Sequence, residues 1–165
     1  MSAFPSSPFG PFDGIDLDVV PLAVVRHEGI TTADLPRVFD GSFGAVGALF
    51  ADGRLIVAGP AIAVYHGNPM GEFDLEVGFP VMTSPAEAIE SAGLTVTASA
   101  LPKGTATATS AFGAYEGLGA AWRGLLDRTV AEGLTPRGIS VEIYVSDPTH
   151  TPVDELRTDL ILLVS

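Results

Sequence analysis

Thr109-Ser110-Ala111-Phe112-Gly113, an amphipathic stretch over 115–132, then Ile139-Ser140-Val141-Glu142-Ile143-Tyr144, then Arg157-Thr158-Asp159-Leu160-Ile161-Leu162-Leu163-Val164: this order of segments occurs twice in the chain. The earlier copy reads Val24-Val25-Arg26-His27-Glu28-Gly29, an amphipathic stretch over 32–51, Pro60-Ala61-Ile62-Ala63-Val64-Tyr65, then Asp74-Leu75-Glu76-Val77-Gly78-Phe79-Pro80-Val81. Matching Gly29 to Gly113, Tyr65 to Tyr144 and Glu76 to Asp159 gives offsets of 84, 79 and 83, so the register holds apart from small loop differences. Two copies of one supersecondary unit, neither able to cover its apolar face alone, are expected to share a core and to leave a ligand cleft between them.

Each copy reads as β-α-β-β. In the first, a strand over 19–27 ends at Glu28-Gly29, and Thr31 or Thr32 caps a helix. Leu35, Val38, Phe39, Phe43, Val46, Leu49 and Phe50 recur at helical spacing, while Gly41, Gly44 and Gly47 each weaken the helix by about 1 kcal/mol relative to Ala, so packing must supply its order. Strands over 61–66 and 73–81 form a hairpin through Gly67-Asn68-Pro69-Met70-Gly71. Ser84-Pro85 opens a short helical connection over 84–92, and strands over 94–101 and 105–110 follow. The second helix carries Tyr115, Leu118, Trp122, Leu125, Leu126 and Val130 on one face and ends at Glu132-Gly133; strands over 139–145 and 157–164 close the copy. The expected fold class is α+β, with duplicated units in pseudo-two-fold symmetry and helices on one face of an antiparallel sheet. The expected organisation is an N-terminal tail over 1–17 and one domain over 18–165, made of a first repeat (18–82), a linker (83–104) and a second repeat (105–165).

With 165 residues, 47% of them hydrophobic and 17% charged, the chain can bury a large core and is not of disordered composition. No apolar run nears the about 20 residues that span a bilayer, so no membrane partner is expected. A net charge of −12 repels phosphates, and eight Lys and Arg spread along the chain make no basic patch, which argues against direct nucleic-acid binding and favours neutral or cationic partners. The absence of cysteine removes disulfides, thiolate nucleophiles and Cys-based zinc sites, and fits a cytoplasmic protein. The leader lacks the pattern of a secretory signal. It reads as a loosely ordered tail whose Phe4, Phe9 and Phe12 either stay solvated or dock on the domain or a neighbouring subunit.

Two acids stand out. Glu76 and Asp159 hold matched positions in apolar strands, where a carboxylate is costly unless paired or at work. They either face a cleft, or lie solvated on an open sheet face, or pair with Arg26, Arg157 or Lys103. Tyr65 and Tyr144, also matched, offer an aromatic wall and a phenol, or ordinary sheet packing. Trp122, Phe79 and Phe112 are further candidates for lining a pocket, against a plain core role. His27, His66 and His150 have no metal-ligand spacing, and HExxH, phosphate-loop, dinucleotide and nucleophile-elbow motifs are missing, so no metal or cofactor is expected.

The chain resembles the GyrI-like small-molecule-binding family, the effector-binding domain of AraC- and MerR-type transcription activators, over about 18–165. Besides the duplicated plan, the resemblance rests on Val25-Arg26-His27-Glu28-Gly29, Asp74-Leu75-Glu76-Val77-Gly78-Phe79-Pro80-Val81, Gly113-Ala114-Tyr115-Glu116-Gly117-Leu118, Ala131-Glu132-Gly133-Leu134, Glu142-Ile143-Tyr144-Val145-Ser146-Asp147-Pro148 and Glu155-Leu156-Arg157-Thr158-Asp159. It implies a cleft lined by apolar and aromatic groups for lipophilic, often cationic, small molecules, as in multidrug binding. It also implies a central carboxylate in the last strand, where this chain has Asp159 in place of the usual Glu. Since 1–17 is too short for a helix-turn-helix, transcription regulation would pass through a protein partner. The leading expectation is a standalone binding module using Tyr65, Glu76, Phe79, Phe112, Trp122, Tyr144 and Asp159. The alternatives are a hydrolase of cyclopropane-bearing alkylating natural products, with Glu76 or Asp159 as base and Tyr65 or Tyr144 as donor, and a DNA gyrase inhibitor or other protein-interaction module.

Overall fold

In the computed structural model, which describes residues 4–67 and 71–165, the order of elements is β1 (Asp13–Leu17), β2 (Val20–Ile30), α1 (Leu35–Ala51), β3 (Ala61–Gly67), β4 (Phe73–Pro80), β5 (Ile89–Ser91), β6 (Leu94–Leu101), β7 (Gly104–Phe112), α2 (Leu118–Ala131), β8 (Pro136–Tyr144) and β9 (Arg157–Val164). The chain divides into two compact units. One is Val19–Pro102; the other joins the leader up to Asp18 to Lys103–Ser165. Each holds one strand-helix-strand-strand copy, β2-α1-β3-β4 and β7-α2-β8-β9, in an α+β arrangement of antiparallel strands and one helix.

In the Val19–Pro102 unit the strands run in the order β3-β4-β2-β6-β5. Alternation along β2, β4 and β6 sends Ala23, Val25, Phe79 and Val96 to one face, where Ala45, Val46 and Leu49 of α1 meet them together with Leu55 and Val81. Phe79 lies edge-on between Phe43 and Phe50, with ring centroids at 5.6 and 5.2 Å. Burial of these apolar side chains offsets the helix penalty of the three α1 glycines. At the start of α1, the Thr31 N–H donates to the Asp34 carboxylate at 3.1 Å, and Pro36 occupies the first turn, where its missing donor is harmless. The opposite face of the sheet is also buried, with Leu22, Val24, Ile62, Val64 and Leu101 at 0–1% exposure. At Gly78 of β4 a Cβ would lie 1.9 Å from the Ala23 carbonyl oxygen, so the two strands approach closely enough there to require glycine.

The other unit orders its strands β1-β7-β9-β8. Leu160 and Leu162 of β9 meet Leu125 of α2, with Phe12, Leu118, Ala121 and Trp122 packed around them. Every residue of β9 is buried, as its continuous apolar run demands.

Three expectations change. The 84–92 stretch is no helix: β5 pairs with β6 through Ile89↔Val96 to Ser91↔Leu94, because the segment is too short and too poor in apolar repeats to hold a helical face. The first strand runs on through Gly29 to Ile30, with a register shift after His27. Residues 13–17, read from sequence as leader, form β1 and pair with 104–108 of β7, burying Ile15 and Leu17. The turn expected at Gly67-Asn68-Pro69-Met70-Gly71 falls partly outside the described residues. Among the described residues no helix is long and apolar enough to cross a membrane, and no group of three His, Cys, Asp or Glu is placed to hold a metal.

Candidate functional site

β8 alternates Val141 and Ile143 with Glu142 and Tyr144, and its register sets Glu142 beside Leu160 and Tyr144 beside Thr158. Leu160 faces α2, so Glu142 and Tyr144 share the helix side. There the Trp122 indole N–H donates to Glu142 Oε2 at 2.7 Å and the Tyr144 hydroxyl donates to Oε1 at 2.5 Å. Tyr115, in the 3-10 turn Tyr115–Gly117 that leads into α2, stands edge-on to Tyr144 with centroids 6.0 Å apart. Glu142 is 6% exposed and Tyr115 is 41% exposed, so the group runs from a buried carboxylate to an open aromatic edge. Burial raises the Tyr115 pKa, and the nearby negative charge of Asp147 adds to that effect. Hydrogen bonds from the Thr149 hydroxyl and backbone N–H, with help from His150, pull Asp147 down to about 2. A carboxylate bonded by an indole and a phenol, with a further ring edge-on to the phenol, suits an apolar ligand carrying positive charge, since ring faces and carboxylate are both electronegative.

The acids singled out from sequence lie elsewhere. In β4 the register pairs Val64 with Glu76 but Tyr65 with Leu75, so Glu76 sits on the sheet face away from α1 and Tyr65 on the face toward it. Tyr65 packs against Phe73 at 5.4 Å. Glu76, 8% exposed, accepts from His66 Nε2 at 2.6 Å and from the Ser99 hydroxyl, with Arg26 Nη1 at 4.0 Å. Burial pushes its pKa up, but the hydrogen bonds from His66 and Ser99, together with the His66 and Arg26 charges, outweigh this and hold it below the ordinary value. In β9 Asp159 pairs with Ile143 while Thr158 pairs with Tyr144, so this acid too is on the face away from its helix. It is 0% exposed and accepts from Arg157 Nε and Nη2 at 2.9 and 2.8 Å and from Ser110 Oγ at 2.6 Å.

Of the sequence candidates, then, the structure brings Trp122 and Tyr144 together. Phe79 belongs to the core against α1, and Phe112, 60% exposed, ends β7. Sequence reasoning missed Glu142 and Tyr115. The signal for Glu142 was present, because a residue two before Tyr144 on a strand shares its face. Its link to Trp122 was not, since that contact joins a helix to a strand 20 residues away.

The sequence matches the GyrI-like small-molecule-binding domain over residues 15–165. The chain belongs to the GyrI-like family. No curated protein matches its sequence significantly. Among solved structures, the GyrI-like fold here is similar to the EcmrR C-terminal domain, at 14% identity and TM-score 0.75, covering 93% of this chain and 96% of that one. A hydrolase from Listeria innocua is similar at 12% identity and TM-score 0.63, with 97% and 94% covered. SAV2435 bound to tetraphenylphosphonium is similar at 10% identity and TM-score 0.65, with 93% of each chain covered. At these identities the likeness carries the fold.

Proposed function

We propose that this GyrI-like domain binds lipophilic compounds, cations above all, at the Trp122-Glu142-Tyr144 group, with Tyr115 at its open edge. The observation that carries the reading is the buried Glu142 carboxylate held by the polar tips of two aromatic side chains. A delocalised cation there gains from the aromatic faces and from a carboxylate partly shielded from water, while its apolar groups leave water. The net charge of −12 raises the local concentration of such ligands. Tetraphenylphosphonium bound to SAV2435 is a cation of this kind and supplies the probe. By this reading Glu142, rather than Glu76 or Asp159, is the ligand carboxylate.

A hydrolase is the second reading. It is favoured by the Tyr144 hydroxyl donating to Glu142 at 2.5 Å, a donor and a base side by side, and by the name of the Listeria innocua structure. One experiment separates the readings: calorimetric titration with tetraphenylphosphonium and, in parallel, with a cyclopropane-bearing alkylator, each followed by mass spectrometry. Saturable binding of the cation, weakened about tenfold or more in Glu142→Gln and with the ligand recovered unchanged, is the expected result. Turnover of the alkylator by the wild type but not by Glu142→Gln makes the protein a hydrolase. If neither compound binds and the protein alone inhibits DNA supercoiling, the interaction-module reading replaces both.

A further inference from the structure

Arg157 is 8% exposed, an unusual place for a guanidinium, and its side chain is divided between two tasks. Nε and one Nη2 contact grip the Asp159 carboxylate from the side, at 2.9 and 2.8 Å. The remaining contacts go to three successive backbone carbonyls of the leader: Nη2 to Pro5 O at 3.1 Å, Nη1 to Ser6 O at 3.1 Å and Nη2 to Ser7 O at 3.2 Å. Ser110 continues the row. Its hydroxyl donates to Asp159 Oδ1 at 2.6 Å and accepts from the Phe9 N–H at 2.9 Å. On the preceding residue of β7, the Thr109 hydroxyl donates to Gly10 O at 3.1 Å. Phe9, at 8% exposure, is buried at the point where these contacts converge.

The leader is thus bound mainly through its main chain, over 5–10, by groups that two strands hold in register: Ser110↔Asp159 and Phe112↔Arg157 are alternate pairs of the β7-β9 ladder, with Ala111↔Thr158 between them, so Ser110, Asp159 and Arg157 share one face. The location is informative. The β1 ladder along β7 stops at Asp13↔Ala108, so Thr109 and Ser110 would otherwise lie on an uncovered strand edge. A planar guanidinium preset by a bidentate carboxylate presents its outward donors in a fixed fork, which suits a run of carbonyls.

We propose that Arg157, Asp159 and Ser110 form a main-chain clamp whose occupant is the chain's own segment 5–10, docked as a strap that covers the upper edge of β7. Asp159 is a positioning residue of the clamp: its carboxylate aims the guanidinium at the leader. The Asp, one methylene shorter than Glu, fits the short span to an Arg two residues earlier on the same strand. The strap is independent of the Trp122-Glu142-Tyr144 group, which lies on the helix side of the same strands.

The test is hydrogen exchange with mass spectrometry on the full chain, comparing wild type, Arg157→Met, Arg157→Lys and Ser110→Ala. In the wild type, the amides of Phe9 and Gly10, which donate to Ser110 Oγ and to the Asp13 carboxylate, exchange slowly. Arg157→Met speeds exchange there about tenfold or more while α2 and β9 keep their protection; Arg157→Lys, a cation without the fork, recovers only part. Ser110→Ala leaves both charges in place and speeds the Phe9 amide severalfold, which keeps the test valid if Arg157→Met fails to fold. Slow exchange of the Phe9 and Gly10 amides in both Arg157→Met and Ser110→Ala overturns the clamp. So does loss of tetraphenylphosphonium binding in Ser110→Ala with strap exchange unchanged, since Ser110 and Asp159 would then serve a ligand.

Discussion

The two units share a plan and spend it differently. Aligned on the glycines that end their helices, Gly53 and Gly133, Trp122 of α2 stands where α1 has Ser42; aligned on Tyr65 and Tyr144, Glu142 stands where β3 has Ala63. In the Val19–Pro102 unit the helix side is therefore mostly packing: Phe43, Phe50 and Phe79 interlock, and its polar contacts include Ser42 with His27 Nε2 at 2.8 Å and the Ser91 hydroxyl donating to Ala45 O at 2.7 Å. Burial lowers the His27 pKa there, with the Arg37 charge adding to it, so the interior favours the neutral ring. In the other unit the counterparts of Ser42 and Ala63 are an indole and a carboxylate, and the phenol of Tyr144, matched to Tyr65, donates to that carboxylate. The second unit keeps its own apolar core at Leu125, Leu160 and Leu162 and carries the polar group beside it. The lesson is that matched positions in a repeat are matched in backbone and face, while their chemistry diverges.

The sharpest way to break this comparison is at Gly78, whose counterpart under the Glu76/Asp159 match is the buried Ile161. Gly78→Ala drives a Cβ into the backbone of residue 23 and is expected to destabilise by about 3 kcal/mol, the upper end for overpacking, whereas Ile161→Val is expected to lose about 1 kcal/mol. Chemical denaturation of both variants checks this; equal effects would mean that the close approach at Gly78 is relaxed in solution.

Next comes the polar group itself. Trp122→Phe keeps the ring and deletes the donor to Glu142, so about 2 kcal/mol of stability is expected to be lost along with most tetraphenylphosphonium affinity. Unchanged affinity in calorimetry would detach Trp122 from the site.

The acid response of Glu76 is smaller and has a sign that can be stated in advance. Because its folded pKa lies below the ordinary 4.5, the group's contribution is complete above about pH 4.5 and is lost as pH falls through the folded value. Melting temperatures of wild type and Glu76→Gln are expected to converge as pH drops below 4.5. Parallel curves would remove Glu76 from the acid limb.

The smallest effect is expected from Ser42→Ala, the counterpart of Trp122. Losing one neutral hydrogen bond to His27 is worth about 1 kcal/mol and leaves tetraphenylphosphonium binding intact. Weakened binding would mean that both units serve the ligand.

Much of the fold was legible in the residues themselves. Helical spacing of Val38, Val46 and Leu49, and of Leu118, Trp122 and Leu125, placed both helices, and the continuous run Leu160-Ile161-Leu162-Leu163 marked a strand buried on both faces. Strand alternation also settled, in principle, that Glu76 and Tyr65 could not be assumed to share a face, since that depends on how β3 registers with β4. Register is a property of two strands and of the loop between them, which is why the pairing Val64↔Glu76 had to come from the structure. The leader shows the same division. Its composition pointed to a tail, because Ser, Pro and Gly carry little local propensity, yet Ile15 and Leu17 find cover on β7 and the carbonyls of 5–7 find a guanidinium 150 residues or more away in sequence. By itself, then, the sequence determined the family, the duplicated α+β plan and the helix stripes, all of which follow from local periodicity. Which carboxylate meets aromatic side chains, which one grips Arg157 and which one binds His66 and Ser99 was decided only in the folded chain, because each depends on side chains that strand register and helix packing bring together from distant segments.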